Sequence, residues 1–252
     1  AKWHDWLRAM QSQTCQPAKV LVVDSASTDQ SVQWAQQAGY DILHIDAKDF
    51  AHGATRQLAL NQVAPFSDWV VFLTQDAILA NEHARENLVK AIQDQPQVAA
   101  WHGRHLPKPE ANAIETHFRH FNYPPQSHVV QMQDKASLGL RVCFFSNSYG
   151  AYRTADLLAI GGFPQNVILG EDTWAAAMLP MKVKAAARAN GYGAGDVMGS
   201  FLIKERKLTK HATHSQETVF LSPHSQRLSY LLWPRPWSLR ARQRSTHQRR
   251  PL

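Results

Sequence analysis

The sequence contains little cysteine and no long apolar segment, and each of these absences excludes a class of protein. Its two cysteines, Cys15 and Cys143, are too few for a disulfide scaffold or for a Cys-x-x-Cys zinc or redox site. No apolar run in the 252 residues approaches the roughly 18 residues that a membrane-spanning helix needs. Residues 1–10 mix charged side chains with tryptophan, unlike a signal peptide. We therefore expect a reducing, cytoplasmic location.

Glycine-rich phosphate-binding loops are missing as well. No Gly-x-Gly-x-x-Gly sequence follows a predicted strand, and no Walker A sequence occurs. A nucleotide bound by this chain would therefore be held mainly by side chains and by a metal ion.

The net charge of +7 is distributed unevenly along the chain. Residues 1–179 hold 13 basic and 17 acidic residues, whereas residues 180–252 hold 14 basic and 3 acidic residues. The basic character therefore belongs to the C-terminal segment, which we expect to be a disordered tail or a basic arm. Hydrophobic residues make up 44% of the chain, which is enough for a globular core in the remainder.

Short apolar segments alternate with helical patterns in the first hundred residues. Buried strands are predicted at residues 18–23, 41–45, 69–73 and 98–101. Helices are predicted at residues 3–10, 31–38, 55–63 and 82–93, the last of them capped by Asn81. This alternation is typical of βαβ units around a parallel sheet, and it predicts an α/β fold.

A proline-containing stretch follows at residues 103–138, and its weak periodicity predicts a long functional loop. Ordered structure is expected to return at residues 141–145 and 149–152. Further helices are predicted to begin at Thr154 and at Glu171, with a turn at residues 161–164 between them.

Three acidic features lie where ligands bind in an open α/β sheet, beyond the carboxyl ends of strands or at the start of a helix. They are the segment DSASTD at residues 24–29, the pair Gln75-Asp76, and the pair Glu171-Asp172. Each has an ordinary explanation, because Asp and Ser cap helices, exposed acids often end strands, and carboxylates complement a helix dipole. Taken alone, the capping explanation is the stronger one for residues 24–29.

Each feature also has a functional interpretation. The carboxylate of Asp24 can accept a hydrogen bond from the imide N–H of a nucleobase. Asp76 can supply a hard oxygen ligand for Mg²⁺ or Mn²⁺ that bridges a diphosphate. Asp172 with Glu171 can serve as a general base for an acceptor hydroxyl. Arg56, at the start of a predicted helix, makes either a surface ion pair or a contact with phosphate.

Six motifs in a fixed order identify the family that the sequence resembles. They are VLVVDSASTD, FAHGATRQLAL, WVVFLTQDA, FNYPPQS, FFSNSYGAYR and IGGFPQNVILGEDTWAAAML. Over about residues 3–179 the sequence resembles family 2 glycosyltransferases, and within them the rhamnosyltransferases of bacterial O-antigen and cell-wall polysaccharide synthesis. The resemblance implies a GT-A fold, with a Rossmann-like, mostly parallel sheet flanked by helices.

The resemblance also implies an organisation and a reaction. A nucleotide-binding half, about residues 1–102, joins an acceptor-binding half, about residues 103–179, and the basic tail at 180–252 diverges from the family. The implied reaction is an inverting transfer of L-rhamnose from dTDP-L-rhamnose to a polysaccharide or lipid-linked glycan. The implied cofactor is Mg²⁺ or Mn²⁺.

The resemblance assigns roles to individual residues of this sequence. Asp172 is the implied catalytic base, with Glu171 orienting it or the acceptor, and Asp76 is the implied metal ligand. The other implied site residues contact the nucleotide sugar (Asp24, Ser25, Asp29, Arg56, Gln75 and Asp76) or shape the acceptor side (Gly161, Gly162 and Phe163).

Several alternatives stay open at this point. The resemblance begins after the family's first strand, so a sheet lacking one strand, an incomplete nucleotide site and an inactive, truncated product are expected alternatives. The donor could instead be another nucleotide sugar, such as a UDP-hexose. In a different class, the basic tail predicts binding to a membrane surface or to nucleic acid. No nucleic-acid-binding motif supports the latter, whereas a tail could hold an enzyme at the inner face of the cytoplasmic membrane.

Overall fold

The computed structural model of the protein describes residues 2–179, 181–186, 196–199 and 227–232, with side chains for residues 3–179. Within these ranges the helices are α1 (Lys2–Gln11), α2 (Ser31–Gln37), α3 (His52–Val63), α4 (Ala84–Asp94), α5 (Ala113–Asn122), α6 (Lys135–Leu138), α7 (Thr154–Ala159) and α8 (Glu171–Met178). The strands are β1 (Lys19–Ser25), β2 (Asp41–Ile45), β3 (Trp69–Thr74), β4 (Ala77–Leu79), β5 (Ala100–Leu106), β6 (His128–Gln131), β7 (Tyr149–Arg153), β8 (Met181–Ala186), β9 (Asp196–Gly199) and β10 (Arg227–Leu232). None of these helices combines the length and the apolar content needed to cross a bilayer.

Eight of the strands follow one another in a sheet of order β2-β1-β10-β3-β7-β5-β8-β6, and β9 pairs with β4 and β5 beside it. β1 pairs in parallel with β2, and β5 pairs in parallel with β8. β10 runs antiparallel between β1 and β3, and β7 runs antiparallel between β3 and β5. The predicted α/β fold is therefore confirmed. Because β10 and β7 run antiparallel to both of their neighbours, the sheet contains more antiparallel pairs than expected.

The two central strands β1 and β3 are buried on both faces, as their continuous apolar sequences predict. Val20 and Val22 of β1 pack in one hydrophobic cluster with α1 and α4. Leu21 and Val23 point to the opposite face and pack with α3, α7 and α8. Successive strand residues face opposite sides of a sheet, so both sides must be covered by helices when every position is apolar.

The N-terminal helix α1 anchors to the sheet through tryptophan. The rings of Trp3 and Trp6 stack with centroids 4.7 Å apart, and Trp6 is fully buried. The indole N–H of Trp6 donates a hydrogen bond to the carbonyl oxygen of Thr74, at a distance of 3.2 Å. This contact links α1 to the carboxyl end of β3.

The stretch at residues 103–138 is not the long loop that the sequence predicts. β5 continues through Leu106, and the helix α5, the strand β6 and the short helix α6 follow within the same stretch. The side chain of Asn112 caps α5 by accepting a hydrogen bond from the backbone N–H of Glu115 at 2.9 Å. A recognised capping residue therefore starts this helix, in which Ile114, Phe118 and Phe121 recur at helical spacing.

One smaller prediction also differs from the structure. Asn81 does not cap α4, because its side chain accepts a hydrogen bond from the backbone N–H of His83 in the turn before the helix begins at Ala84. At residues 141–145, where ordered structure is expected, a 3₁₀ helix spans Gly139–Cys143.

The C-terminal segment contributes backbone to the sheet. β8, β9 and β10 all lie beyond residue 179, and β10 lies between β1 and β3 in the sheet. The division of the chain at residue 179 stays a prediction. The rest of the proposed tail lies outside the described residues.

Candidate active site

The acidic residues that follow β1 are held by local hydrogen bonds. The carboxylate of Asp24 is buried; one oxygen accepts the backbone N–H of Ser27 at 3.2 Å and lies 3.5 Å from Nδ1 of His44. Asp29 accepts hydrogen bonds from the backbone N–H and the hydroxyl of Ser31, at the start of α2. Asp29 therefore contacts the first residue of α2 from just before its N-cap, Gln30, whereas Asp24 and the buried Ser25 lie at the end of β1.

Gln75 and Asp76 form the turn between β3 and β4, and both are half-buried. One carboxylate oxygen of Asp76 accepts a hydrogen bond from the hydroxyl of Thr74 at 2.7 Å, which fixes its orientation. Within the side chains that the structure describes, no group of three or more His, Cys, Asp and Glu residues could hold a metal ion. A single oriented carboxylate suits Mg²⁺ or Mn²⁺ only where phosphate oxygens and water complete the coordination shell.

Asp172 lies in the first turn of α8, after Gly170 in the left-handed conformation with φ of 90°. One carboxylate oxygen accepts the backbone N–H of Thr173 at 2.7 Å, and the other accepts the backbone N–H of Asn147 at 3.3 Å. Burial raises the pKa of Asp172, and the adjacent charge of Glu171 raises it further, while Arg56 opposes the shift. A carboxylate with a raised pKa is a stronger base than an ordinary aspartate.

Glu171, next to Asp172, points into the protein and forms a buried ion pair with Arg56 of α3. Gly53 permits this close approach of α3, because a Cβ atom there would lie 1.9 Å from the carbonyl oxygen of Pro164. His52 is close to the pair, and burial followed by the charge of Arg56 lowers the pKa of its imidazole. Arg56 therefore contacts Glu171, and its guanidinium is not exposed for phosphate.

Residues 146–148, which we call the bridging segment, connect the last residue of β3 to the start of α8. The carbonyl oxygen of Ser148 accepts the backbone N–H of Thr74 at 3.2 Å. The next residue back, Asn147, donates its backbone N–H to Asp172, and its side-chain oxygen accepts the hydroxyl of Tyr152 at 2.8 Å. Residues almost a hundred positions apart in sequence thus meet at one edge of the sheet.

The three residues expected on the acceptor side, Gly161, Gly162 and Phe163, lie in the turn that follows α7. Gly161 and Gly162 adopt positive φ angles of 87° and 76°. Phe163 is buried, and its ring packs edge-on against the rings of Phe72 and Tyr152. The structure therefore gives Phe163 a core position, and an acceptor role for this turn stays a prediction.

A cavity of about 370 Å³ opens at Thr173, the residue that follows Asp172. It is lined by His102, Phe121, Asn122, Pro124, His128, Leu140, Arg141, Phe144 and Thr173. Among the described side chains, its lining combines aromatic rings with cationic and amide groups and includes no carboxylate. A second cavity, of about 480 Å³, opens beside His44, the residue that faces Asp24.

Comparison with known proteins assigns this arrangement to a family. Residues 5–160 match the family model described as glycosyl transferase family 2. The chain belongs to glycosyl transferase family 2. The predicted family is therefore confirmed, and the match covers the candidate residues from Asp24 to the bridging segment, while Asp172 lies beyond it.

Two relatives with curated names are similar over about 70% of this chain. The O-antigen chain rhamnosyltransferase WbaN of Salmonella anatum is 42% identical over 179 residues, which are 71% of this chain and 56% of that protein. The O-antigen chain rhamnosyltransferase RfbN of Salmonella typhimurium is 43% identical over 178 residues, 70% of this chain and 56% of that protein. This family 2 chain thus spans about half the length of these relatives.

Solved structures show the same fold at low sequence identity. S. aureus TarS 1-349 matches with a TM-score of 0.57 and 17% identity, over 76% of this chain and 56% of TarS 1-349. The mannosyltransferase PcManGT from Pyrobaculum calidifontis, in complex with GDP-Man and Mn²⁺, matches with a TM-score of 0.51 and 17% identity, over 76% and 52% of the two chains. These likenesses confirm the predicted GT-A fold of the family 2 chain.

Proposed function

We propose that this chain is the catalytic part of an inverting glycosyltransferase that uses a nucleotide sugar, with dTDP-L-rhamnose as its donor. The observation that carries the proposal is the position of Asp172. Its carboxylate has a raised pKa, and the next residue, Thr173, lines a cavity of about 370 Å³. The bridging segment connects Asp172 to Thr74, two residues before Asp76. The identity of 42–43% to two O-antigen rhamnosyltransferases supports rhamnose as the transferred sugar.

Asp172 acts as the general base in this proposal. Its carboxylate takes the proton from an acceptor hydroxyl while that oxygen forms a bond to the anomeric carbon of the donor. The bond from the anomeric carbon to the diphosphate breaks on the opposite face, and the electron pair leaves with the nucleoside diphosphate. Attack and departure on opposite faces invert the anomeric configuration.

Asp76 is the residue proposed to hold Mg²⁺ or Mn²⁺, together with the donor diphosphate and water. When bound, the cation would neutralise the charge that develops on the leaving diphosphate. A single carboxylate on a turn, oriented by Thr74, fits this role because the diphosphate supplies most of the remaining oxygen ligands. The Mn²⁺ in the PcManGT complex, which has the same fold, supports a divalent ion here.

The nucleotide is proposed to bind at the carboxyl end of β1. Asp24 and Ser25 lie there, next to the cavity beside His44, and Gln75 lies at the equivalent end of β3. S. aureus TarS has also been solved in complex with UDP, so a member of this fold with a TM-score of 0.57 binds a nucleoside diphosphate. Arg56 and Glu171 are proposed to support Asp172 from the protein interior.

The acceptor is proposed to be a glycan, free or lipid-linked, that enters the cavity lined by Phe121, Phe144 and Arg141. Aromatic rings bind the apolar faces of sugars, and an arginine supplies hydrogen-bond donors for hydroxyl groups. Contact with the inner face of the cytoplasmic membrane remains a proposal for the basic segment at residues 180–252, whose side chains the structure does not describe.

The proposal is tested by the release of nucleoside diphosphate from dTDP-L-rhamnose in the presence of Mg²⁺ or Mn²⁺, with UDP-glucose and GDP-mannose as competing donors. We expect Asp172→Asn to slow turnover by about 10²–10⁴-fold. Asp156→Asn is the matched control, because Asp156 is also in the first turn of a helix. Equal turnover by the wild type and Asp172→Asn would contradict the assignment of Asp172 as the base. Faster turnover of UDP-glucose than of dTDP-L-rhamnose would contradict the proposed donor.

A further inference from the structure

We propose that Arg119, His105 and Ser146 form a positioning relay that fixes the bridging segment and thereby the backbone N–H group that binds Asp172. The inference rests on the proposed role of Asp172 as the base. None of the three residues touches the reacting atoms in this proposal; they act through Asn147.

Helix α5 provides the first observation, because it buries its arginine and exposes its apolar side chains. Arg119 is 1% exposed, whereas Ile114, Phe118 and Phe121 are 82%, 52% and 61% exposed. Burial of a guanidinium group is costly unless it forms hydrogen bonds. Arg119 forms an ion pair with Glu115 one turn earlier, at 3.8 Å, and a guanidinium nitrogen lies 2.9 Å from Nδ1 of His105 on β5.

The chemistry of this contact fixes the protonation state of His105. A guanidinium group only donates hydrogen bonds, so Nδ1 of His105 must be the acceptor and carry no proton. Complete burial holds the pKa of His105 well below its ordinary value, and the charge of Arg119 lowers it further. The ring is therefore neutral, and its proton lies on Nε2, which is 3.3 Å from the hydroxyl oxygen of Ser146.

Ser146 accepts the hydrogen bond from this N–H group and holds the start of the bridging segment. Its hydroxyl oxygen accepts hydrogen bonds from Nε2–H of His105 and from the backbone N–H of Ser148, each at 3.3 Å. Its own O–H group is left to donate to the hydroxyl of Tyr123, whose ring stacks on His105 with centroids 4.2 Å apart. The donor and the acceptor of each hydrogen bond from Arg119 through His105 to Ser146 are thus assigned consistently.

The consequence concerns the position of the base. Asn147 lies between the two anchored serines and donates its backbone N–H to Asp172. If the relay is broken, the bridging segment loses its anchor, and Asp172 loses one of two backbone hydrogen bonds that orient it. A displacement of about 1 Å in a reacting group can cost about 10²-fold in rate.

Three variants at two relay positions test the proposal in the full chain. His105→Leu breaks the relay, whereas His105→Gln keeps it, because an amide can accept from Arg119 and donate to Ser146. Ser146→Ala breaks the relay at the next residue and serves if His105→Leu does not fold. His120→Leu is the matched control, since His120 is an exposed histidine on the same helix as Arg119.

We expect His105→Leu and Ser146→Ala to lower kcat for release of nucleoside diphosphate from dTDP-L-rhamnose by about 10-fold to 10²-fold, with KM for the donor unchanged. His105→Gln should restore most of kcat, and His120→Leu should leave it unchanged. A fall in kcat that His105→Gln does not restore would overturn the relay.

Amide hydrogen exchange provides a measurement that needs no turnover. Exchange at the N–H of Asn147 should accelerate in His105→Leu and Ser146→Ala, while the amides of Val71 and Tyr152 in the central strands stay protected. Unchanged exchange at Asn147, or equal acceleration at all three amides, would overturn the proposal. If the wild type releases no nucleoside diphosphate from any donor, the proposed function fails, and amide exchange still decides the relay.

Discussion

The guanidinium group of Arg56 forms a buried ion pair with the carboxylate of Glu171, 115 residues later in the chain. Their side chains are 4% and 5% exposed, so water contributes little to the solvation of either charge. The pair connects α3 to the first turn of α8, where Asp172 lies. The position of the proposed base therefore depends on a contact between two helices that pack on the same side of the sheet.

Arg56→Ala is predicted to destabilise the protein by about 3–5 kcal/mol, because it leaves the carboxylate of Glu171 buried without its partner. The measurement is the free energy of unfolding from urea titration. Arg8→Ala is the control, since Arg8 and Asp5 form an exposed pair with 78% and 51% side-chain exposure. Exposed pairs of this kind contribute about 0–1 kcal/mol.

The double variant Arg56→Met/Glu171→Leu should recover much of the stability that Arg56→Ala loses, since neither charge remains buried. A double variant as unstable as Arg56→Ala would show that packing, and not the uncompensated charge, determines the loss.

The raised pKa of Asp172 predicts a pH dependence of activity. The carboxylate must be ionised to accept a proton, so turnover should fall as the pH decreases through the pKa of Asp172. Because burial and Glu171 raise that pKa, the fall should occur above the pH at which an ordinary aspartate, with a pKa of about 3.9, is protonated. The measurement is kcat for donor turnover as a function of pH.

The same pKa predicts how stability depends on pH. A carboxyl group with a pKa that is higher in the folded than in the unfolded state favours folding when protonated. This contribution is complete below the unfolded pKa and is lost as the pH rises through the folded pKa. The wild type should therefore lose stability relative to Asp172→Asn over the range from the unfolded pKa, about 3.9, up through the raised folded pKa, as measured by urea titrations. A difference that stays constant across this range would contradict the raised pKa.

Asp76→Asn is predicted to weaken the binding of dTDP in the presence of Mn²⁺, because the amide replaces the charged oxygen ligand. Thr74→Val should weaken dTDP binding less, by about 10-fold, since it removes only the hydrogen bond that orients Asp76. Calorimetric titration with dTDP measures both, and Asp94→Asn, on an exposed residue at the end of α4, is the control. Equal affinities for wild type and Asp76→Asn would remove Asp76 from the metal site.

Phe121→Ala and Arg141→Ala are predicted to raise KM for a sugar acceptor by about tenfold each, which corresponds to about 1.4 kcal/mol of binding. The guanidinium of Arg141 lies 5.5 Å from the centroid of the Phe121 ring, so the two side chains form one wall of the cavity. Transfer to a panel of methyl glycosides measures the acceptor KM. Phe66→Ala, on a phenylalanine that is 68% exposed, should leave it unchanged.

Donor hydrolysis without acceptor provides the second comparison for the cavity variants. It should be unaffected by Phe121→Ala and Arg141→Ala, because hydrolysis uses water in place of the sugar acceptor that these side chains are proposed to contact. A parallel loss of hydrolysis and transfer would place these residues on the donor side.

The strands were predictable from sequence where apolar residues fill every position of a short segment. β1 and β3 have this pattern because helices cover both faces of the sheet. Helix α5 was not predictable in the same way. It buries Arg119 and exposes Ile114 and Phe118, so its apolar residues do not mark the side that contacts the protein.

The acidic candidates were predictable because residue type and position at a strand end or helix start both point to ligand binding. The bridging segment was not, since Asn147 acts through a backbone N–H group that nearly every residue has. The partner of Glu171 was not predictable either. Arg56 is 115 residues away, and only the packing of α3 against α8 brings them together.

The hydrogen bond from the indole of Trp6 to the carbonyl oxygen of Thr74 makes the N-terminal helix an optical probe of the site. Thr74 directly precedes Gln75 and Asp76, so a ligand that shifts this turn also changes the surroundings of a fully buried indole. The emission difference between the wild type and Trp6→Phe therefore contains a signal from the turn itself. The protein thus carries an intrinsic fluorophore with which occupancy of the turn can be followed in real time, without any added label.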